Sequence, residues 1–252
     1  MLLAFTIFEL ATITLVVALL FLGFKLVETN WSYKISKPHA WEEAVKNGAV
    51  SRKLKKIERF YRDKVRLYTF WLQIERLKKE KIEGAFAEVG VYQGETAKMM
   101  HEMDTLRRLH LFDTFEGFDK KDIESTTAKD ANHGIDFSDT SLESVVKFID
   151  GNSNIVFHKG YFPATTKDLQ VEHYAFVHLD ADLYNPTLAG LRYFYPLLSP
   201  GGVIIVHDYN HTWEGVTKAV DEFSKTISEN LMEISDWQGS VMIVKTKGSK
   251  IG

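Results

Sequence analysis

Apolar positions along the chain fall into three patterns. Residues 1–24, MLLAFTIFELATITLVVALLFLGF, are apolar almost throughout, with Glu9 as the single charge. As a helix rising about 1.5 Å per residue this run reaches about 36 Å, enough to cross a bilayer. Over residues 51–81, Leu54, Ile57, Tyr61, Val65, Tyr68, Leu72 and Glu75 recur at helical spacing with basic residues between them. That spacing predicts one long amphipathic helix. From Ile82 onward the short apolar runs GAFAEV, LHLF, NIVF, YAFVHL and GVIIVH alternate with helix-period segments such as TAKMMHEM, LESVVKFI and PTLAGLRYFYPLL. The alternation is the βαβ rhythm of an α/β, doubly wound and mostly parallel sheet. MEISDW and SVMIVKT, separated only by Gln238 and Gly239, predict a C-terminal antiparallel hairpin at its edge.

The three patterns divide the chain into a transmembrane anchor over residues 1–27, a juxtamembrane and basic amphipathic helical region over 28–81, and an α/β domain over 82–252. A cleaved signal peptide is the rival reading of the first segment. No basic residue precedes the apolar run and no small-x-small site follows Phe24, which favours a retained single-pass anchor. Lys25, Lys34 and Lys37 follow the run, so the positive-inside tendency places the remaining chain in the cytoplasm, with Trp31, Tyr33 and Trp41 as interfacial aromatic residues. The net charge of -3 conceals a split: residues 51–81 hold 12 Lys/Arg against 4 Asp/Glu, and residues 82–252 hold 15 against 26. A basic helix suits a solvated face, a homo-oligomer interface or anionic lipid headgroups, and the acidic domain argues against nucleic acid. With no cysteine there is no disulfide, thiol nucleophile or thiolate metal site.

Two acidic clusters each close a buried apolar run: YAFV leads into HLDAD at 178–182, and VIIV into HDY at 207–209. Asp180 and Asp208 are thereby predicted at the carboxyl ends of neighbouring strands, where open α/β sheets bind ligands. His178, two residues before Asp180, falls on the same face of its strand. The first strand runs into EVGVYQG, residues 88–94, followed by a helix from near Glu95. Gly90 and Gly94 permit a sharp turn and close approach of a ligand. The turn lacks the third glycine of GxGxxG and a Walker lysine, and Glu88 repels pyrophosphate. It suits a sulfonium nucleoside contacted by Glu88, Gly90, Tyr92 and Gly94. The second strand ends at Asp113, whose carboxylate is expected to accept both ribose hydroxyls, and DTFEGF brings Phe115 or Phe118 beside a base. The polar stretch between Asp119 and Ser141 is too long for a plain connector and reads as a lid.

EVGVYQG, DTFEGF, GYFPATT (160–166), HLDADLY, LSPGG (198–202) and HDY occur in an order and spacing similar to those of the macrocin O-methyltransferase family, over about residues 60–245. The resemblance implies a class I, Rossmann-like methyltransferase that uses S-adenosyl-L-methionine to methylate a sugar hydroxyl on a small-molecule or glycan acceptor. It implies a Mg2+ ion at the ends of the fourth and fifth strands, with Asp180 as ligand and general base and positions 207 and 208 completing the set. It also implies a lid over the cofactor that brings Asp136, Phe137 and Ser138 to the adenine. The family's paired aspartates are here His207 and Asp208, and an imidazole donor moves the preference from magnesium toward manganese, iron or zinc. His207 joins Asp180 as a candidate catalytic group, and Asp182 reads as a loop cap beside them. Two other readings stay open at this level: a dinucleotide-dependent sugar oxidoreductase or epimerase, and an anchored, non-catalytic scaffold on a degenerate methyltransferase fold. The anchor points to an acceptor carried on lipid or assembled at the inner leaflet.

Overall fold

A computed structural model describes residues 6–119, 121–122 and 136–247, with the side chains of residues 32–36 left aside. The chain forms two compact units, residues 1–50 and 51–252. The first contains α1 (Ile7–Ser36) and α2 (His39–Lys46). Within α1, Ile7–Trp31 is long and apolar enough to cross a membrane. The Glu9 carboxylate accepts the Thr6 N–H and hydroxyl, both at 2.8 Å, so the one acid of the apolar run closes the first turn. Trp31 is exposed, whereas Trp41 is fully buried in α2 and leaves the set of exposed aromatic residues.

The second unit opens with α3 (Arg52–Phe60) and α4 (Lys64–Lys79). The single long helix expected here is broken. Tyr61 takes an extended conformation, and Asp63 caps α4 by accepting the Arg66 N–H at 3.0 Å. The break resets the helical phase: α4 buries Leu67, Phe70, Trp71, Ile74 and Leu77, while Val65 and Leu72 of the expected stripe are exposed. Both helices belong to the unit that holds the sheet, whereas the alternation of apolar runs and helical segments set the start of the α/β domain at Ile82.

The remaining elements are β1 (Ala85–Val89), α5 (Glu95–Met103), β2 (Leu109–Asp113), α6 (Leu142–Ile149), β3 (Ile155–Lys159), β4 (Tyr174–Leu179), α7 (Tyr184–Leu197), β5 (Leu198–Val206), α8 (Glu214–Ser224), β6 (Met232–Ile234) and β7 (Ser240–Val244). The sheet runs β3-β2-β1-β4-β5-β7-β6. Its first five strands are parallel, and β7 lies antiparallel between β5 and β6. The terminal hairpin exists, but its loop is wider than the two residues expected, because Ile234 pairs with Ser240. Asp236 leaves the strand to receive the Ser240 hydroxyl at 2.6 Å and the Arg66 guanidinium at 3.3 Å.

Alternation along β4 sorts the two faces of the sheet. Phe176 and His178 meet Phe70 of α4, with ring centroids 5.0 and 4.9 Å apart. Val177 and Leu179 join the apolar cluster that holds Leu191 and Phe194 of α7 and Val216 and Val220 of α8. Strands buried on both faces explain why the runs read as continuous apolar stretches. The order of connection reverses between β1 and β4, which leaves a crevice beyond their carboxyl ends.

Candidate active site

A cavity of about 550 Å³ occupies that crevice. One wall is the turn after β1. Gly90 sits at φ +84°, and a β-carbon there would lie 1.9 Å from the Asp180 carbonyl oxygen. The Asp180 N–H in turn bonds to the Val89 carbonyl at 2.9 Å, so the tips of β1 and β4 are locked together. Gly94, also at φ +84°, starts α5 where a β-carbon would press on Val145 at 3.0 Å. The Asp113 carboxylate stabilises this turn from β2: Oδ2 accepts the Val91 and Tyr92 N–H groups at 2.6 and 2.9 Å, and Oδ1 accepts the Phe115 N–H at 2.6 Å. Gly90, Tyr92, Gly94 and Asp113 all line the cavity.

The opposite wall is acidic. Asp180, Asp182, His207 and Asp208 line it from the ends of β4 and β5. His207 Nδ1 lies 2.8 Å from Asp180 Oδ1 and 3.2 Å from Asp208 Oδ2. Its Nε2 faces the Trp237 carbonyl at 3.1 Å and meets the Arg66 guanidinium. Arg66 Nη1 stands 3.9 Å from Asp180 Oδ2, while its Nε is held by Asp63 and Asp236 at 3.4 and 3.3 Å. Behind Asp180, His178 Nδ1 bonds to Glu88 at 2.8 Å, and both side chains are fully buried. Burial alone would raise Asp180, but His207, His178 and Arg66 outweigh it and hold the carboxyl below its ordinary range. Burial opposes the charge on His207 too, yet Asp180 and Asp208 raise it to about 10. Asp182 is pushed up by burial and then by the repulsion of Asp180 and Asp208.

These residues fit a divalent cation. Ligand atoms of Asp180, His207 and Asp208 lie within 4.8 Å of one another. Asp208 Oδ1 is buried without a hydrogen-bond partner among the described residues, a costly state that a cation relieves. The crowding of Asp182, Asp180 and Asp208 points the same way. A metal-bound histidine ordinarily donates its second N–H to a carbonyl or carboxylate; the Trp237 carbonyl lies 3.1 Å from Nε2, and Arg66, itself a donor, would have to draw back from that nitrogen for the bond to form.

Four other expected contacts fall elsewhere. Glu88 is fully buried and does not line the cavity, because the parallel register pairs it with His178 of β4. Phe115 is 1% exposed and turned toward Phe157, and its neighbour Phe118 lines the cavity instead. Asp136 accepts the N–H and hydroxyl of Ser138 at 3.0 and 2.9 Å, so both residues close their own turn at the surface. Phe137 between them lines the cavity, edge-on to Tyr92 and to Phe118 at 5.1 Å. Most of the expected lid, residues 120 and 123–135, lies outside the described residues. Arg66 escaped the sequence reading because it sits in a run of basic residues that looks solvent-facing. Its one signal is its place between Val65 and Leu67, beside the buried stripe of α4. Trp213 and Tyr161 line the cavity from loops that carry no periodicity.

Five parallel strands, an antiparallel β7 inserted at the end, and a cavity over the carboxyl tips of β1, β2, β4 and β5 define a class I methyltransferase fold. The O-methyltransferase NovP superposes with a TM-score of 0.63 at 23% identity, covering 73% of this chain and 81% of that one. CalS11, a calicheamicin methyltransferase, superposes with a TM-score of 0.52 at 19% identity, covering 83% and 87%. Residues 60–243 match the macrocin-O-methyltransferase (TylF) family, and the chain belongs to it. A relative from Streptomyces olivaceus, the 8-demethyl-8-(2,3-dimethoxy-alpha-L-rhamnosyl)-tetracenomycin-C 4'-O-methyltransferase, is 28% identical over 149 residues, covering 54% of this chain and 57% of the relative. The mycinamicin III 3''-O-methyltransferase of Micromonospora griseorubida is 28% identical over 184 residues, covering 66% and 70%. The match thus spans little more than half the length of the first relative.

Proposed function

We propose that this chain is an S-adenosyl-L-methionine-dependent O-methyltransferase that methylates a hydroxyl of a sugar or glycan-type acceptor. The observation that carries the reading is the facing of two walls across one cavity: the Gly90–Gly94 turn held by Asp113, and the Asp180–His207–Asp208 cluster. Family membership supports it, as do the two relatives, both named for O-methylation. A dinucleotide enzyme is disfavoured by the absence of GxGxxG at the turn and by the acidic wall opposite it.

Methyl transfer from a sulfonium is an in-line displacement: the acceptor oxygen–carbon bond forms as the carbon–sulfur bond breaks, and the hydroxyl proton leaves to a base. Asp113 and the backbone of the turn hold the nucleoside end. Asp180, with its side chain 22% exposed on the cavity side, receives the proton. In the metal-free site the protonated His207, together with His178 and Arg66, keeps that carboxylate ionised, and Glu88 fixes His178 behind it. Such a low-lying carboxylate is a weak base for a sugar hydroxyl. Asp180, Asp208 and a deprotonated His207 would hold a divalent ion, which would supply the missing acidification of the hydroxyl. α1 is the membrane anchor in this reading, with the catalytic unit on the cytoplasmic side. An acceptor presented at the bilayer, carried on lipid, then follows.

Asp180→Asn tests the assignment. Isothermal titration should show S-adenosylmethionine binding within about threefold of the parent and no heat with NAD, while turnover on a sugar acceptor falls at least about a thousandfold. Binding of NAD in place of S-adenosylmethionine, or unchanged turnover, refutes it. Absence of turnover in the parent protein on any sugar acceptor favours the scaffold reading.

A further inference from the structure

The break between α3 and α4 puts two surfaces back to back. Tyr61 turns inward and lines the cavity, and its neighbours Phe60 and Arg62 point out, with Phe60 68% exposed. Along α3, Arg52, Lys56, Arg59 and Phe60 follow i, i+4, i+7, i+8 spacing, and all four are exposed. Val65, at the start of α4, is also 42% exposed.

The acids of the segment are turned away. Glu58 accepts the Tyr68 hydroxyl at 2.8 Å, and Asp63 is buried against Arg66. Among the described residues, Arg52, Lys56 and Arg62 have no ion-pair partner, whereas Lys53 is drawn to Glu102 and Asp150. The Arg59 guanidinium lies 5.6 Å from the centre of the Phe60 ring. An exposed Phe60 ring on a helix that also exposes Arg52, Lys56 and Arg59 matches the boundary between anionic headgroups and acyl chains. A protein partner would need acidic side chains around an apolar pocket. The apolar helix in the same chain favours the bilayer.

We propose that the ridge Arg52–Val65 is a second membrane contact, in which Phe60 enters the interface of an anionic leaflet while Arg52, Lys56, Arg59 and Arg62 bind its headgroups. Resting on the anchored-methyltransferase reading, this contact holds the catalytic unit against the leaflet through the outer face of the segment whose inner face, at Tyr61, walls the cavity.

The absence of cysteine allows single-site labelling. Phe60→Cys, Leu19→Cys and Leu106→Cys, each made in the full chain, carry a polarity-sensitive fluorophore and are reconstituted in nanodiscs of phosphatidylcholine with or without 30 mol% phosphatidylglycerol, on the order of a cytoplasmic leaflet's anionic content. Brominated lipid is the quencher. The proposal expects the Phe60 site to be blue-shifted and quenched at least about twofold in anionic discs, less so in zwitterionic discs or high salt. Leu106, 88% exposed at the amino-terminal end of β2, should remain aqueous. Combining Arg52→Gln, Lys56→Gln, Arg59→Gln and Arg62→Gln should abolish the Phe60 response and leave S-adenosylmethionine binding intact. Quenching at Leu19 with an aqueous Phe60 site overturns the ridge and leaves the anchor standing. An aqueous signal at both sites overturns the ridge and the anchor together. Equal quenching at Phe60 and Leu106 removes the orientation.

Discussion

A β-carbon at Gly90 would meet the Asp180 backbone at 1.9 and 2.6 Å, and neither strand tip can yield without moving Asp180 itself. Gly90→Ala should therefore lower stability by about 2–4 kcal/mol, combining left-handed strain with displacement of a packed backbone. It should also weaken S-adenosylmethionine binding. Thermal unfolding and titration calorimetry of the variant check both, and parent-like values would show that β1 and β4 are not locked in this way. At the other wall, His207 would be the one nitrogen donor of the proposed cation site. Bound-metal content after dialysis against equal magnesium and manganese should favour manganese in the parent, and His207→Asp should shift it at least about tenfold toward magnesium. An unchanged ratio would remove His207 from the ligand set. The place of Asp180, Asp208, Gly90, Gly94 and Asp113 around the cavity was legible in the sequence because strand ends and glycine turns have local signatures. Glu88 and Phe115 were misplaced because their neighbours in the chain do reach the cavity, and only the register across β1 and β4 turns Glu88 to His178.

Elements show the same division. The five parallel strands follow from apolar runs, yet the pairing that makes β2 and β3 neighbours also stacks His158 on Phe112, with ring centroids 4.3 Å apart, and sets His110 2.9 Å from it. Burial first, and His110 second, lower His158 to about 4. A histidine that resists protonation when folded binds its proton near its ordinary value of about 6.5 when unfolded. Its contribution to stability is therefore complete above that pH and lost as pH falls toward 4. His158→Gln should flatten the loss between pH 7 and 4.5 by about 1–2 kcal/mol, allowing for partial solvent screening. Urea unfolding at the two pH values measures it, and identical slopes would contradict the assignment. Spacing alone joined α3 to α4 because helical periodicity does not register a cap. Asp63 ends the run through a side-chain bond that a polar residue elsewhere on the stripe does not make.

At the scale of the molecule, the division at Val50 separates the apolar helix from a unit with its own sheet and core. Removing residues 1–50 should give a folded protein that still binds S-adenosylmethionine and methylates a water-soluble acceptor within about threefold of the parent, while turnover on bilayer-presented acceptor falls at least about tenfold. Activity assays on the two acceptor forms check this, and an equal loss on both would tie the first unit to catalysis itself. Sequence by itself determined the fold class, the apolar helix and the acidic strand tips, because each rests on periodicity or on residues adjacent in the chain. Only the tertiary structure decided that Arg66, from a helix that precedes the sheet, meets Asp180 and His207. It alone showed that Glu88 supports His178 from behind, and that Tyr61 and Phe60 serve opposite surfaces. Those relations depend on which buried faces meet when apolar area is removed from water, a global condition that no local pattern encodes.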